Sequence, residues 1–487
     1  MKPVAFGIGV LLHVPALMAL LSLPVAAVFV EWSGLAAFLL TAVPALVCGQ
    51  VLVWLCRDAA RLQRQHAMLI AALGWVLVPV FGTVPFLVAA LGSPWSAPLP
   101  GAAVFATLDS ALFEAVSGFT GTGLSVVERP GELPRYLQWW RSFTEWVGGI
   151  GVIVLLLSVI PTSQSALNLY FSEAREEKIL PSVKSTVRTI WSIFAVYTLI
   201  AIALLWLAGE PLWRAINHGM TGIATGGFTI TDAGMEGAGL AVKLVMIPVM
   251  LFGAISFLAH YRLLRERNFR RAFGPEQRLF WILVIAGGGL LVLERFWTSG
   301  QWQIVDNAFQ WVSALTTTGF ATQDLTLWQP APLLLMVVAM LVGAQTGSTG
   351  GGIKISRVLV MLKSLGWNLR DYGIRPHEVI RVRLGELRLS LPEASRRAQA
   401  AATMTAAFLL LWAVGVFLLL HFVPAGTPLA HVFFEAASAQ SNVGLSTGIT
   451  QAGLPAGGKL LLIVLMITGR LEIFPVMVLV AWFLGRR

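Results

Sequence analysis

The sequence predicts an all-α integral membrane protein: a fourfold pseudo-repeat of helix–re-entrant loop–helix units around a central axis, with two extra N-terminal transmembrane helices. Three observations carry this. Hydrophobic residues make up 57% of the 487-residue chain and charged residues 12%, at a mean hydropathy of +0.78; a soluble domain holds about twice that charge. Basic residues gather in clusters between apolar stretches. A short pattern ending in glycine recurs four times in one frame.

The opening stretch, "MKPVAFGIGVLLHVPALMALLSLPVAA", has the single Lys, apolar run and A-x-A-like end of a signal peptide. Its apolar run continues to Val30, which is long enough to span, so it reads as a real first helix. The next apolar segment holds Cys48 and Cys56. On one helix they lie about 12 Å apart, too far to bridge, and read as buried small apolar side chains. Residues 1–58 therefore form the two N-terminal helices, and the units follow at 66–160, 161–262 (opening with a cytoplasmic segment), 275–365 and 396–487.

Each unit has one outline. A long helix leads in near 66–91, 188–208, 276–296 and 399–422, and a second leads back near 137–160, 240–262, 331–364 and 458–484. Between them lies an amphipathic segment of about ten residues, roughly 15 Å of helix and half a bilayer. The basic clusters fall between units: Arg57, Arg61 and Arg64; Arg175, Lys178, Lys184 and Arg188; Arg262 to Arg278; and Lys363 to Arg397. The opposite loops are nearly free of Lys and Arg. By the positive-inside rule Arg57, Arg175, Arg270 and Arg381 are cytoplasmic, as are both termini, giving about ten transmembrane helices. This asymmetry assigns the net charge of +10 to topology rather than to nucleic acid.

The repeat is "LFEAVSGFTGTGLS" (112–125), "AINHGMTGIATGGF" (215–228), "AFQWVSALTTTGFA" (308–321) and "FFEAASAQSNVGLS" (433–446). In this frame Gly123, Gly226, Gly319 and Gly444 coincide, as do Glu114, Asn217, Gln310 and Glu435. The four stretches before and including the glycines are Thr120, Gly121, Thr122, Gly123; Ile223, Ala224, Thr225, Gly226; Thr316, Thr317, Thr318, Gly319; and Ser441, Asn442, Val443, Gly444. All lie on the outer side, where each short helix stops midway and returns as non-helical backbone. Such backbone is tolerated at membrane depth only inside protein or along a watery cavity. Glycine permits φ > 0, which turns successive carbonyls one way. Four such loops on one axis make a ring of carbonyls able to replace the hydration shell of a cation, so the axis reads as a central ion pore. Packing alone explains one Gly/Thr stretch; four in register favour the filter. Glu114 and Glu435 read as hydrogen-bonding behind the loops rather than as cation ligands.

One stretch stands outside the repeat. "GAQTGSTGGGIK" (343–354) interrupts an apolar run. Gly347 and Gly352 have the spacing of a phosphate-binding loop, but Ile353 stands where that motif needs Lys. Such a run makes a kink or a hinge between half-helices. Enzyme chemistry is excluded by motif: H-E-x-x-H, G-x-S-x-G and Cys/His clusters are absent, and the seven His residues are scattered.

The chain resembles the TrkH/KtrB/HKT superfamily of potassium transporters, and most closely the bacterial TrkH-type subunit. The resemblance rests on "SGFTGTGLS", "TGIATGGFT", "SALTTTGFATQD", "ASAQSNVGLST", "GSTGGGIK" and "GRLEIFP". It implies K⁺ uptake across the bacterial cytoplasmic membrane, K⁺ as the transported ion with no organic cofactor, and the four stretches above as the selectivity filter. Gly123 matches the potassium-selective members; Gly121 and the Asn442-Val443 pair depart from the usual hydroxyl-rich pattern. It implies that Thr346, Gly347, Ser348, Thr349, Gly350, Gly351 and Gly352 form an intramembrane gate, with Lys354 and Arg470 beside it. Lys354 also reads as a side chain snorkelling to the cytoplasmic interface. Arg470, mid-run in apolar sequence, is either a gate contact or the structural partner of Glu472. The resemblance further implies a homodimer in the lipid bilayer and a cytoplasmic nucleotide-binding regulatory ring, TrkA-like, which the basic loops 262–278 and 363–397 could dock. The alternative is a secondary carrier with alternating access coupling K⁺ to H⁺ or Na⁺.

Overall fold

The computed structural model describes residues 1–58, 63–151, 182–371, 382–384 and 387–485. It is almost wholly helical. The departure from all-α, among the described residues, is a two-stranded antiparallel hairpin pairing Val382–Leu384 with Leu387–Leu389. The N-terminal pair is Lys2–Val28, with a slight break at Leu12, and Trp32–Leu55. They cross closely where Gly9 meets Gly49; a Cβ on either would lie 2.8 Å from the other's carbonyl oxygen. Small residues at a crossing let two backbones approach, which drives helix association where lipid is as apolar as Leu. Cys48 is exposed and Cys56 half-buried, both free, so neither is the buried side chain expected. Their helix is apolar on every side, and periodicity cannot tell a lipid-facing from a buried position.

The order long helix, short helix, second helix then recurs four times. The first set is Arg64–Gly82 with Val84–Leu91, Leu108–Thr120 and Arg135–Ile150. The second is Val183–Leu207, Leu212–Ile223 and Leu240–Ala254. The third is Pro275–Ser299, Ile304–Leu315 and Pro330–Val342. The fourth is Leu391–Leu419, Leu429–Gln440 and Ala456–Arg470. A π-helical turn at Leu283–Gly287 lies in the third leading helix, where the Trp311 indole packs on Gly287 and donates to the Leu283 carbonyl at 2.9 Å. An inserted side chain of this kind is a recognised cause of a π-bulge.

The second helices of units two and four are not continuous, contrary to the sequence reading. Leu240–Ala254 turns by 102° into Phe257–Leu264, and Ala456–Arg470 by 114° into Phe474–Trp482. In unit two the freed Phe257 amide donates to the Gly347 carbonyl at 3.2 Å. In unit four Glu472 and Ile473 take φ of 52° and 70°. In unit three Val342 and Ile355 flank a loop. Unit one's helix reaches Gly151, and the expected continuation to 160 lies outside the described residues. So do Arg61, Arg175, Lys178, Arg375 and Arg381. Among the described residues six helices are long and apolar enough to cross a membrane, or up to nine if each bent pair is one span.

Candidate functional site

Each short helix ends in the same backbone device. The residue one past its end region is left-handed: Gly121, Thr225, Thr317 and Asn442, at φ of 67°, 51°, 56° and 55°. The next amide, of Thr122, Gly226, Thr318 and Val443, donates back to the carbonyl of Ser117, Thr221, Ser313 and Ser438 at 2.8–2.9 Å. This is the bond pattern that terminates helices with a left-handed residue. A second left-handed residue follows, Gly123, Gly227, Gly319 and Gly444, at φ of 82°, 85°, 90° and 98°.

These four glycines close a ring. A Cβ on Gly123 would collide with the Gly226 carbonyl oxygen, one on Gly227 with that of Thr318, one on Gly319 with that of Val443, and one on Gly444 with that of Thr122. Each loop thus touches the next, and the fourth returns to the first. No L-residue side chain fits at these positions without displacing a neighbouring carbonyl.

The sequence frame was one residue out in loop two. Gly227, not Gly226, matches Gly123, Gly319 and Gly444, so the quartet there is Ala224 to Gly227 and Ile223 is still helical. The residue matching Glu114, Gln310 and Glu435 is likewise His218, not Asn217. Those four accept the amides of Val126, Thr322, Thr447 and Ile230, each twelve residues on, at 3.2, 2.9, 3.0 and 3.5 Å. A Gly-Gly doublet has no phase by itself; the ring contacts supply it. Glu114 and Glu435 face these amides and the hydroxyls of Ser125 and Ser446, behind the loops.

Arg141, a residue the sequence reading passed over, is 2% exposed. It pairs with Glu114 at 2.7 Å, donates to the Thr229 carbonyl at 2.8 Å and to Ser125 at 3.1 Å, and lies 4.1 Å from the Phe228 ring centroid. It staples loop one to loop two. The available signal was a charge within a segment the sequence places in the membrane.

The stretch 343–354 lies against the inner side of the ring. Thr349 Oγ1 lies 2.9 Å from Thr225 Oγ1 and donates to the Gly253 carbonyl at 2.9 Å. The Gly351 amide donates to Thr317 Oγ1 at 2.8 Å, and a Cβ on Gly351 would collide with the Ser441 carbonyl. The stretch is moored to the third leading helix by Thr346 N to Glu276 at 2.9 Å and Gln345 Nε2 to Gln277 at 2.6 Å.

Arg470 joins this stretch to unit one. It donates to the carbonyls of Thr349 at 2.9 Å, Gly149 at 2.8 Å and Gly148, and lies 5.4 Å from the Trp75 ring centroid. Glu472 pairs with Arg357. Lys354 does not snorkel: it is buried, and Nζ donates to the Gly350 carbonyl four residues back. A cavity opens beneath, lined by Trp75, Gly151, Ser348, Gly352, Arg470 and Glu472 among others. Among the described residues no group of three His, Cys, Asp or Glu could hold a metal ion. The chemistry on offer is backbone oxygens around an axis, with a loop laid across one end.

The family described as TrkH, cation transport protein, matches residues 35–293 and 298–484. An uncharacterized cation transporter of Methanocaldococcus jannaschii is 33% identical over 425 residues, covering 86% of this chain and 83% of its own. The Trk system potassium uptake protein TrkH of Halomonas elongata is 31% identical over 436 residues, covering 86% and 85%. The crystal structure of the potassium transporter TrkH from Vibrio parahaemolyticus superimposes with a TM-score of 0.83 at 26% identity, covering 98% of each chain. With the family matching almost the whole length, this chain belongs to the TrkH family of cation transport proteins.

Proposed function

We propose that this protein is a potassium uptake pathway of the cytoplasmic membrane, in which units 66–160, 161–262, 275–365 and 396–487 each contribute one loop to a selectivity filter. The observation that supports this best is the cyclic contact of Gly123, Gly227, Gly319 and Gly444 with the carbonyls of the neighbouring loops. A closed ring of backbone oxygens compensates a dehydrated cation, and the size and field of that ring set preference. The filter residues are Thr120 to Gly123, Ala224 to Gly227, Thr316 to Gly319 and Ser441 to Gly444. The stretch from Thr346 to Gly352, with Lys354 and Arg470, is the gate. A TrkA-like nucleotide-binding ring on the cytoplasmic side and a second copy of the chain complete the assembly; the Halomonas elongata relative carries Trk system potassium uptake in its name.

The test is ion flux in vesicles of purified protein with K⁺ or Na⁺ as the permeant ion, with single-channel currents to separate conduction from an alternating-access carrier. Currents without K⁺ preference would overturn the filter reading. Arg470→Ala removes bonds to three carbonyls and should raise K⁺ flux roughly three- to tenfold, since charged hydrogen bonds that hold only the closed state bias that equilibrium. Unchanged flux in monodisperse protein counts against Arg470 as a gate residue. Orientation is tested separately. Single cysteines at 57, 175, 270 and 381, on a background without Cys48 and Cys56, should resist an impermeant reagent added outside intact cells. Labelling of any one breaks the proposed topology.

A further inference from the structure

Glu145 is a buried acidic side chain the pathway has not used. It lies in the helix Arg135–Ile150 and is fully buried. Both carboxylate oxygens accept one donor, the Phe228 amide, at 3.2 and 3.0 Å. A Cβ on Gly226 would lie 2.6 Å from Glu145 Oε2, and one on Gly123 3.3 Å from Oε1. The carboxylate is thus wedged in the seam where loop one meets loop two, and it holds the amide that follows the left-handed Gly227.

Units two and four do without it. A Cβ on Gly148, Gly253 or Gly469 would collide with the carbonyl of Phe119, Ile223 or Gln440, each the residue before its filter quartet, so these three glycines mark one level. Three residues earlier stand Glu145, Met250 and Met466, the methionines also fully buried. Among the described residues the amides of Leu124, Phe320 and Leu445, which match Phe228, have no hydrogen-bond acceptor. A carboxylate sharing one donor is costly in an apolar setting, where methionine packs freely. In a trans peptide N–H and C=O point oppositely, so anchoring the Phe228 N–H fixes the aim of the Gly227 carbonyl.

We propose that Glu145 is a specificity-determining positioning residue: by accepting the Phe228 amide it aims the Gly227 carbonyl and so tunes the ion preference of the ring at the loop-one/loop-two seam. This rests on the filter reading above. Glu145→Met, which copies units two and four, should lower the K⁺/Na⁺ permeability ratio by about fivefold or more and raise the apparent KM for K⁺, with maximal flux within about twofold. Glu145→Gln keeps an acceptor and should restore the ratio to within about twofold of the parent. An unchanged ratio in the Met variant overturns the proposal, and so does a Gln variant as impaired as Met, which would assign the effect to charge. Should the Met protein not be monodisperse, Glu145→Ala is read by the same criteria. Gly319→Ala, measured alongside, separates the two levels. If it lowers the ratio and Glu145→Met does not, only this inference falls; if neither does, the filter reading falls with it.

Discussion

Removal of Gly347 to Gly351 is expected to raise K⁺ flux into vesicles about tenfold or more at matched protein density, the effect of withdrawing roughly 1.4 kcal/mol of closed-state preference. It should also weaken the dependence of flux on the proposed nucleotide-binding partner. The excised residues carry the contacts that lay the loop across the ring: Thr349 to Thr225 and Gly253, the Gly351 amide to Thr317, and the Thr349 carbonyl to Arg470. The gap is short enough to close. Ile353 N donates to the Leu341 carbonyl at 2.9 Å and Ala344 N to the Gly351 carbonyl at 3.2 Å, so the two ends already lie side by side. A loop that only kinked a helix would, on deletion, damage folding or leave conduction unchanged. Monodisperse deletion protein with unchanged or lower flux therefore sinks the gate reading.

Gly319→Ala should lower the K⁺/Na⁺ permeability ratio about tenfold or more while the protein stays monodisperse, because the substitution acts on carbonyl geometry rather than on buried apolar area. Gly319 has φ of 90°, a conformation costing a non-glycine residue about 1–3 kcal/mol, and its added Cβ meets the Val443 carbonyl head on. The seam between loops three and four must open, moving an oxygen of the ring. Gly123→Ser acts likewise on the Gly226 carbonyl. Gly289→Ala is the control: nothing lies within 4 Å of its Cβ position, and the ratio should not move. An unaltered ratio in folded Gly319→Ala protein removes loop three from the filter.

Much of this architecture was readable before any coordinates. Apolar runs and basic clusters are local signals of burial in lipid and of sidedness. The recurrent glycine after Thr/Ser-rich residues reports a local need for φ > 0, and it marked loops one, three and four in the right frame. The Gly347–Gly352 run, with four glycines in six residues, announced an interrupted helix at the right place. The bends after Ala254 and Arg470 carried no such mark. Ile255 leaves the helix in an ordinary extended conformation, with the Phe257 amide beyond it held by Gly347, and Glu472 is a left-handed residue paired with Arg357.

The amino-acid sequence by itself determined that this chain lives in a bilayer, that it is built of four like units, and which backbone segments must leave the helical region. Only the tertiary structure decided the phase of loop two, the partners of Arg470 and Lys354, and the place of Arg141 and Glu145 behind the ring. The physical reason is distance along the chain. Propensity and periodicity act over a turn or two of helix, whereas Asn442 meets Thr122 at 2.9 Å across 320 residues, and Arg470 meets Gly149 across 321. Such contacts exist only once the four units have closed on one axis, and it is that closure which selects a single arrangement from several locally equivalent phases and partners.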